Sequence, residues 1–400
     1  MGKVKPGVLV CQSLDTASES MRHSSWGIME YRDLSRRQAL GLVGTAAVVS
    51  AAPNRASEPA EYPLYKARGT HRELGRQHGE QATREIQAHI EVMCAGQKLS
   101  RDQLRRRAAK FQPVFDRHCP HLLEEIRGIA EGARVTLEEA MACNIRGELR
   151  SAPGEGCTTY VIGRSGATGH GIIAGQNSDM TTEIIPLSYV LHLQPQGKPE
   201  VLLWTFGGML GYHGMNSAGL AHFENALGGG PRNRFGLPHY PAERMMLECD
   251  RLDQAIDVLR KMPLASNANY VLCDGQGNIA DVEATTAGTY VLPDQRAGYF
   301  AHTNHFVCPQ YALPENFARS WADSFPRLER IDSLIKSHYG SIQVDDIKKF
   351  LSDHSGYPTS ICRHNGDSRT VASMISEPAL RRMHVAVGNP CQHRYVTYSM

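Results

Sequence analysis

The sequence predicts an α+β fold in which antiparallel sheets are covered by layers of helices. Three observations carry this prediction. Strand-like runs come in pairs joined by short turns, helix-like runs come in groups, and no sustained strand–helix–strand alternation appears. Apolar residues make up 41% of the 400 and charged residues 21%, an ordinary globular balance. The formal net charge of +2 points to neither a nucleic-acid nor an anionic-membrane partner.

Taken in order, the chain begins with an export pattern. Ser35-Arg36-Arg37-Gln38 leads into an uncharged, mostly apolar run from Ala39 to Ala52, with small residues at its exit. That run is too short to span a bilayer and reads as a twin-arginine-like signal, predicting a periplasmic or secreted protein. Residues 1–28 would be an odd extension of such a signal, which makes Met29 the expected start. Residues 1–56 are therefore set apart, and Ser57 to Tyr65 reads as a linker.

Helical spacing predicts a helix from Glu73 to about Ile90, a second from Asp102 to about Gln112 that stops before Pro113, and a third from Leu122 to Ala133. Arg101, Arg105, Arg106 and Arg107 read as a solvated helix face. Thr136-Leu137-Glu138-Glu139 is a capping box that opens a helix running to about Leu149. Residues 57–156 thus form a helical segment, and composition changes at Ser151-Ala152-Pro153-Gly154.

Strands follow at Thr158–Ile162 and Gly171–Ala174, then at Tyr189–Leu193 and Val201–Phe206, and after the turn at Met215–Gly219. Helices fit 241–248 and 253–261. Tyr270–Cys273 and Ile279–Glu283 flank Asp274-Gly275-Gln276-Gly277-Asn278, a hairpin signal. Helices at 317–337 and 344–352 precede closing strands at 370–375, 383–387 and 395–398.

The chemistry centres on Cys157, which follows Gly154-Glu155-Gly156 and begins the β-rich run Thr158-Thr159-Tyr160-Val161-Ile162. A thiol needs a base to become a nucleophile. Cutting the Gly156–Cys157 bond would place an α-amine, unperturbed pKa about 7.7–8.0, within reach of its own sulfur. Glycine at 156 leaves the scissile carbonyl open to attack. The ten cysteines include no C-x-x-C pair, and no helical H-x-x-x-H occurs. Although His364 and His393 lie near Cys362 and Cys391, spacing predicts no metal site. No cofactor is expected.

Gly156-Cys157-Thr158-Thr159 and Gly175-Gln176-Asn177-Ser178-Asp179 resemble the acyl-CoA:6-aminopenicillanate acyltransferase family of N-terminal-nucleophile hydrolases. So do Gly214 to Leu220, Asn269-Tyr270, Asp281 to Ala284, His302 to Phe306, Ser360 to His364, Thr370 to Ser373 and Gly388 to Cys391. Upstream, Arg68-Gly69 and Glu73 to Gly79 also fit. The resemblance implies an αββα sandwich, cleaved by itself before Cys157 into a smaller helical chain and a larger chain, 157–400, which stay together as a heterodimer. It implies Cys157 as nucleophile, Asp179 orienting the terminal amine, Asn304 donating to the oxyanion, and Arg363, Thr158 and Thr159 as substrate contacts. Ser178 departs from the family pattern, where an aromatic residue is common.

The expected reaction is hydrolysis of the amide of a small N-acyl compound: an N-acyl amino acid, a β-lactam side chain or a β-alanyl amine. Transfer of the acyl group to an amine such as 6-aminopenicillanic acid is the alternative. Export favours hydrolysis, because acyl-CoA is cytoplasmic. Two other classes stay open at this point. One is an uncleaved Cys–His peptidase with His213, His222, His302 or His305 as base. The other is a non-enzymatic exported binding protein on a decayed scaffold.

Overall fold

A computed structural model describes residues 58–149, 156–228, 233, 235–294, 298–311, 322–365 and 368–400. The export pattern, Gly154 and Glu155 lie outside the described residues. Among them no helix is long and apolar enough to cross a membrane.

The N-terminal layer contains α1 (His71–Gln81), α2 (Thr83–Gln97), α3 (Arg101–Ala108), α4 (Gln112–His118), α5 (Pro120–Ala133), α6 (Leu137–Cys143) and α7 (Arg146–Leu149). The expected single first helix breaks at Ala82, where the backbone leaves the helical region. Pro113 does not stop a helix. It sits in the first turn of α4, where its missing N–H is no loss. The Thr136 capping box forms as read, with both reciprocal bonds present.

Two sheets fill the middle. The eight-stranded sheet has the order β1-β4-β5-β6-β7-β8-β9-β10. Its strands are β1 (Leu64–Gly69), β4 (Ser188–Pro195), β5 (Val201–Phe206), β6 (His213–Asn216), β7 (Ala221–Ala226), β8 (Ala268–Cys273), β9 (Ile279–Thr285) and β10 (Gly288–Val291). The six-stranded sheet has the order β11-β2-β3-β12-β13-β14. It contains β11 (Tyr299–His302), β2 (Gly156–Ile162), β3 (Ile173–Met180), β12 (Arg369–Glu377), β13 (Arg382–Val387) and β14 (Tyr395–Ser399). Every pairing is antiparallel except that of β1, which runs parallel to β4. The segment before Cys157 is therefore not all helical, because β1 occupies part of the expected linker. With Ala67 its one buried residue and Leu64, Lys66 and Arg68 exposed, it suits an edge strand. Strands β10 and β11 were likewise not expected.

Side-chain alternation sorts the core into three parts. Tyr189, Leu191, Leu193, Leu203 and Leu272 point outward to Leu74, Ile86, Ile90, Ile126 and Ile129 of the N-terminal helices. The helices α8 (His239–Met246) and α9 (Leu252–Lys261) join that layer. Val190, Leu202, Trp204, Phe223 and Val271 point inward to Val161, Ala174, Met374 and Val385 of the other sheet. Tyr160, Ile162, Ile173 and Ile375 face α10 (Ser324–His338) and α11 (Val344–Leu351) through Ile331, Ile335, Ile347 and Phe350. Each fully buried aliphatic side chain contributes roughly 1.5–3 kcal/mol. The order of layers is helices, sheet, sheet, helices, which is the expected αββα sandwich.

Candidate functional site

Cys157 is the second residue of β2, so its strand begins one residue before the thiol. Alternation along β2 turns Cys157, Thr159 and Val161 toward the facing sheet and turns Thr158 and Tyr160 toward α10. The hydrogen bonds agree. Asn225 of β7 donates to the Thr159 hydroxyl at 2.6 Å, and Arg327 of α10 donates to the Thr158 hydroxyl at 3.0 Å. Both threonines are fully buried.

The register of β2 on β3 places Ser178 opposite Cys157 and Asp179 opposite Gly156. Ser178 therefore shares the face of the thiol, and its hydroxyl is buried with no hydrogen-bond partner among the described residues. Gly175 lets β3 approach closely, because a Cβ there would lie 2.0 Å from the Met374 carbonyl oxygen.

Asp179 faces α10. Its Oδ1 accepts from the Thr370 hydroxyl at 2.7 Å, and its Oδ2 is buried without a hydrogen-bond partner among the described residues. A Cβ on Gly156 would stand 3.3 Å from that Oδ2 and 3.4 Å from Arg363 Nη1, so glycine suits the crowded residue before the thiol. Burial raises the Asp179 carboxyl to about 7, against the downward pull of Arg327 and Arg363. A carboxyl poised near neutrality suits proton transfer.

Asn304 reaches the same strand from the loop after β11. Its Oδ1 accepts from the Cys157 backbone N–H at 2.9 Å and from Arg327 Nη2 at 2.8 Å. Two donors on one oxygen set the orientation of the amide. The Nδ2 then donates to the Ala226 carbonyl at 3.0 Å.

Arg327, to which no sequence argument gave a role, is the hub. It is 1% exposed and donates to the Cys157 carbonyl oxygen at 2.5 Å, to Thr158, to Asn304 and to Asp323. Asp323 also accepts from Arg363 Nη1. Burial raises the Asp323 carboxyl, but the two guanidinium groups outweigh it and hold the group below the usual range. Arg363 further donates from Nε to the Ser368 carbonyl at 3.1 Å.

On the other face of β2 the space between the sheets becomes polar. Asn225 donates to Asn269 at 2.8 Å, and Asn269 donates to Asp281. His302 bonds Glu283 through Nε2 at 3.1 Å and its neighbour's carbonyl through Nδ1 at 2.8 Å. Burial lowers its pKa, but Asp281 and Glu283 raise it further, so its net shift is upward. With both nitrogens engaged, His302 is a poor base for the thiol. His305 is held by Ser324 at 2.8 Å, and burial lowers it to about 4. Burial lowers His222 to about 3 and keeps His213 neutral as well.

The segment from Gly207 to His213 is tied to β4 and to the helical layer. Tyr189 accepts from Gly208 N at 2.9 Å, and Asn144 accepts from Leu210 N at 2.8 Å. Part of the loop from 228 to 238 lies outside the described residues. No disulfide occurs among the described cysteines. The spacing argument against a metal-ligand cluster does not hold in three dimensions. His354, Cys362, His364 and Cys391 bring their ligand atoms within 4.8 Å of one another. His393 is elsewhere, beside Glu58.

Comparisons with known proteins bear on this site. Residues 166–392 match the family of acyl-coenzyme A:6-aminopenicillanic acid acyl-transferase. That span includes Asp179, Asn304, Arg327 and Arg363 and begins just past Cys157. The acyl-coenzyme A:6-aminopenicillanic-acid-acyltransferase 40 kDa form of Emericella nidulans is 27% identical over 333 residues, covering 80% of this chain and 91% of that protein. Among solved structures, a mutant of conjugated bile acid hydrolase from Clostridium perfringens matches with a TM-score of 0.41 and 13% identity, over 61% of this chain and 97% of its own. Penicillin V acylase from Agrobacterium tumefaciens matches with a TM-score of 0.41 and 13% identity, over 58% of this chain and 82% of its own. With more than half of its length matched, the chain belongs to the acyl-coenzyme A:6-aminopenicillanic acid acyl-transferase family, a family of enzymes.

Proposed function

We propose that the protein is an autoproteolytically activated cysteine amidohydrolase that opens the amide of a small N-acyl compound. The observation that carries this reading is the 2.9 Å bond from the Cys157 backbone nitrogen to Asn304 Oδ1. The nitrogen that cleavage would release as an amine is already anchored beside its own thiol.

In the activating step the Cys157 sulfur attacks the Gly156 carbonyl carbon. A carbon–sulfur bond forms, the carbon–nitrogen bond breaks, and the thiol proton passes to the leaving Cys157 nitrogen. Water then hydrolyses the thioester, leaving a Gly156 carboxylate, the thiol and a free α-amine. In turnover that amine takes the thiol proton as sulfur attacks the substrate carbonyl, and gives it to the departing nitrogen as the amide C–N bond breaks and the acyl group stays on sulfur; water then hydrolyses the thioester, releasing the acid and restoring the thiol. The Nδ2 of Asn304 is the donor for the oxyanion, a contribution of a few kcal/mol when pre-placed. Asp179, near neutrality in pKa and close to Gly156, supplies or accepts protons at the new terminus. Arg363 and Arg327 hold the charge there.

Substrates of this reading are N-acyl amino acids, β-lactam side-chain amides and β-alanyl amines. The name of the Emericella relative supports a second reading, acyl transfer to an amine such as 6-aminopenicillanic acid. The twin-arginine-like signal favours hydrolysis, since an exported enzyme does not meet acyl-CoA.

Denaturing mass spectrometry of the purified protein tests the cleavage. The expected result is two chains divided between Gly156 and Cys157, and a single inactive chain for Cys157→Ala. A single uncleaved chain with full activity would overturn the proposal. Turnover of an amide panel, with and without an added amine acceptor, separates hydrolysis from transfer.

A further inference from the structure

We propose that His354, Cys362, His364 and Cys391 form a four-coordinate zinc site that clamps the loops behind Arg363. The four side chains come from two places: His354, Cys362 and His364 from the connection between α11 and β12, and Cys391 from the turn between β13 and β14. Their ligand atoms nevertheless converge on one point.

The distances match a tetrahedron. With Zn–S near 2.3 Å and Zn–N near 2.0–2.1 Å, tetrahedral edges are about 3.8 Å for S···S, about 3.5 Å for S···N and about 3.3 Å for N···N. Cys362 Sγ lies 3.5 Å from Cys391 Sγ. His364 Nε2 lies 3.4 Å from each sulfur. His354 Nε2 lies 3.2 Å from His364 Nε2. The remaining pairs stay within 4.8 Å. A disulfide needs an S–S distance of about 2.05 Å and gives no reason for two imidazole nitrogens to meet at the same point.

The surroundings suit a thiolate. Asn389 Nδ2 points at Cys362 Sγ at 3.5 Å and also donates to the Arg363 carbonyl at 2.7 Å. Such outer hydrogen bonds orient metal ligands. Cys362 is buried, His364 half-buried, and His354 and Cys391 exposed, so the ion has a path in from solvent. On binding, two thiols lose their protons to solvent and two neutral imidazoles keep theirs on Nδ1. The two thiolates balance the dication.

Four protein ligands leave no open position, so the site is structural. Its consequence lies in the tripeptide Cys362-Arg363-His364. Two ligands on either side of Arg363 would hold the guanidinium against Asp323, next to Gly156.

The experiment measures metal content of the full-length protein as purified, then cobalt uptake after chelation. The expected result is one zinc per chain. Cobalt should restore one equivalent with the sulfur-to-metal charge-transfer band and the intense d–d bands of a tetrahedral thiolate site. Cys362→Ser/Cys391→Ser should lose both bands. His354→Ala, at an exposed position with no core to disturb, should bind cobalt at least about tenfold more weakly. Chelation should lower the thermal midpoint of the wild type and leave that of the double variant unmoved. Absence of stoichiometric zinc or cobalt in folded wild type would overturn the proposal. So would a Cys362–Cys391 disulfide in the non-reduced protein, or cobalt bands that persist in the double variant. None of these readouts depends on whether the chain cleaves itself.

Discussion

Arg327 Nη1 lies 2.5 Å from the carbonyl oxygen of Cys157, while Nη2 of the same guanidinium lies 2.8 Å from Asn304 Oδ1. One buried cation thus holds the backbone of Cys157 and the residue that anchors its nitrogen. Arg327→Met would remove one of the two guanidinium groups that hold part-buried Asp323 and leave Asn304 without one of its two donors. Breaking a fully buried pair costs about 3–5 kcal/mol, and because Asp323 keeps Arg363 a smaller loss is expected here. Arg327→Lys keeps the charge but not the planar fork that serves four acceptors, so an intermediate loss is expected. Denaturant unfolding gives the stability, and the time course of chain cleavage on a denaturing gel gives the effect on processing. A methionine variant with wild-type values in both would remove Arg327 from this role.

Asp179 should make stability depend on pH. Its folded carboxyl is raised to about 7 by burial, whereas an unfolded Asp titrates near 3.9. Between those values the folded state holds a proton that the unfolded chain has lost. Stability therefore falls as pH rises from about 4 to about 7 and levels off above, with a limiting slope of about 1.4 kcal/mol per pH unit from this group. Asp179→Asn mimics the protonated form and should flatten that segment relative to the wild type. Urea midpoints across the range check it, and an unchanged slope in the variant would count against the raised carboxyl.

Ser178 stands opposite Cys157 with a small side chain on the same face. Ser178→Phe would fill space beside the sulfur. The expected outcome is a fall of roughly tenfold or more in kcat/KM for amides with a bulky acyl group, and a smaller fall for short ones. The ratio of the two specificity constants is the measurement, and a ratio unchanged by the substitution would place the acyl pocket elsewhere.

What could be read from the chain was what local chemistry dictates. The Thr136–Glu139 capping box needs only four consecutive residues, and the Asp274–Asn278 turn only five, so both are found where expected. Cys157 and Asp179 were singled out by the residues around them, and the register sets Asp179 opposite Gly156. Arg327 was not legible. It lies 170 residues from Cys157, on a helix whose apolar spacing says nothing about which charged side chain turns inward. The His354–Cys391 cluster was missed for the same reason, because two connections far apart in sequence supply its ligands. Pro113 misled because proline ends one helix and begins another equally well, and only the following turn decides which. β1 misled because an edge strand need not alternate cleanly.

The parallel pairing of β1 with β4 has a kinetic consequence. The cut proposed after Gly156 would leave that strand on one polypeptide and its neighbour on another, with the apolar interior shared between them. Folding of the uncut chain is a first-order event. Reassembly of the cut molecule from denaturant is an encounter between two solutes, so its rate and yield rise with protein concentration. The Cys157→Ala chain should refold independently of dilution, and the mature protein should not.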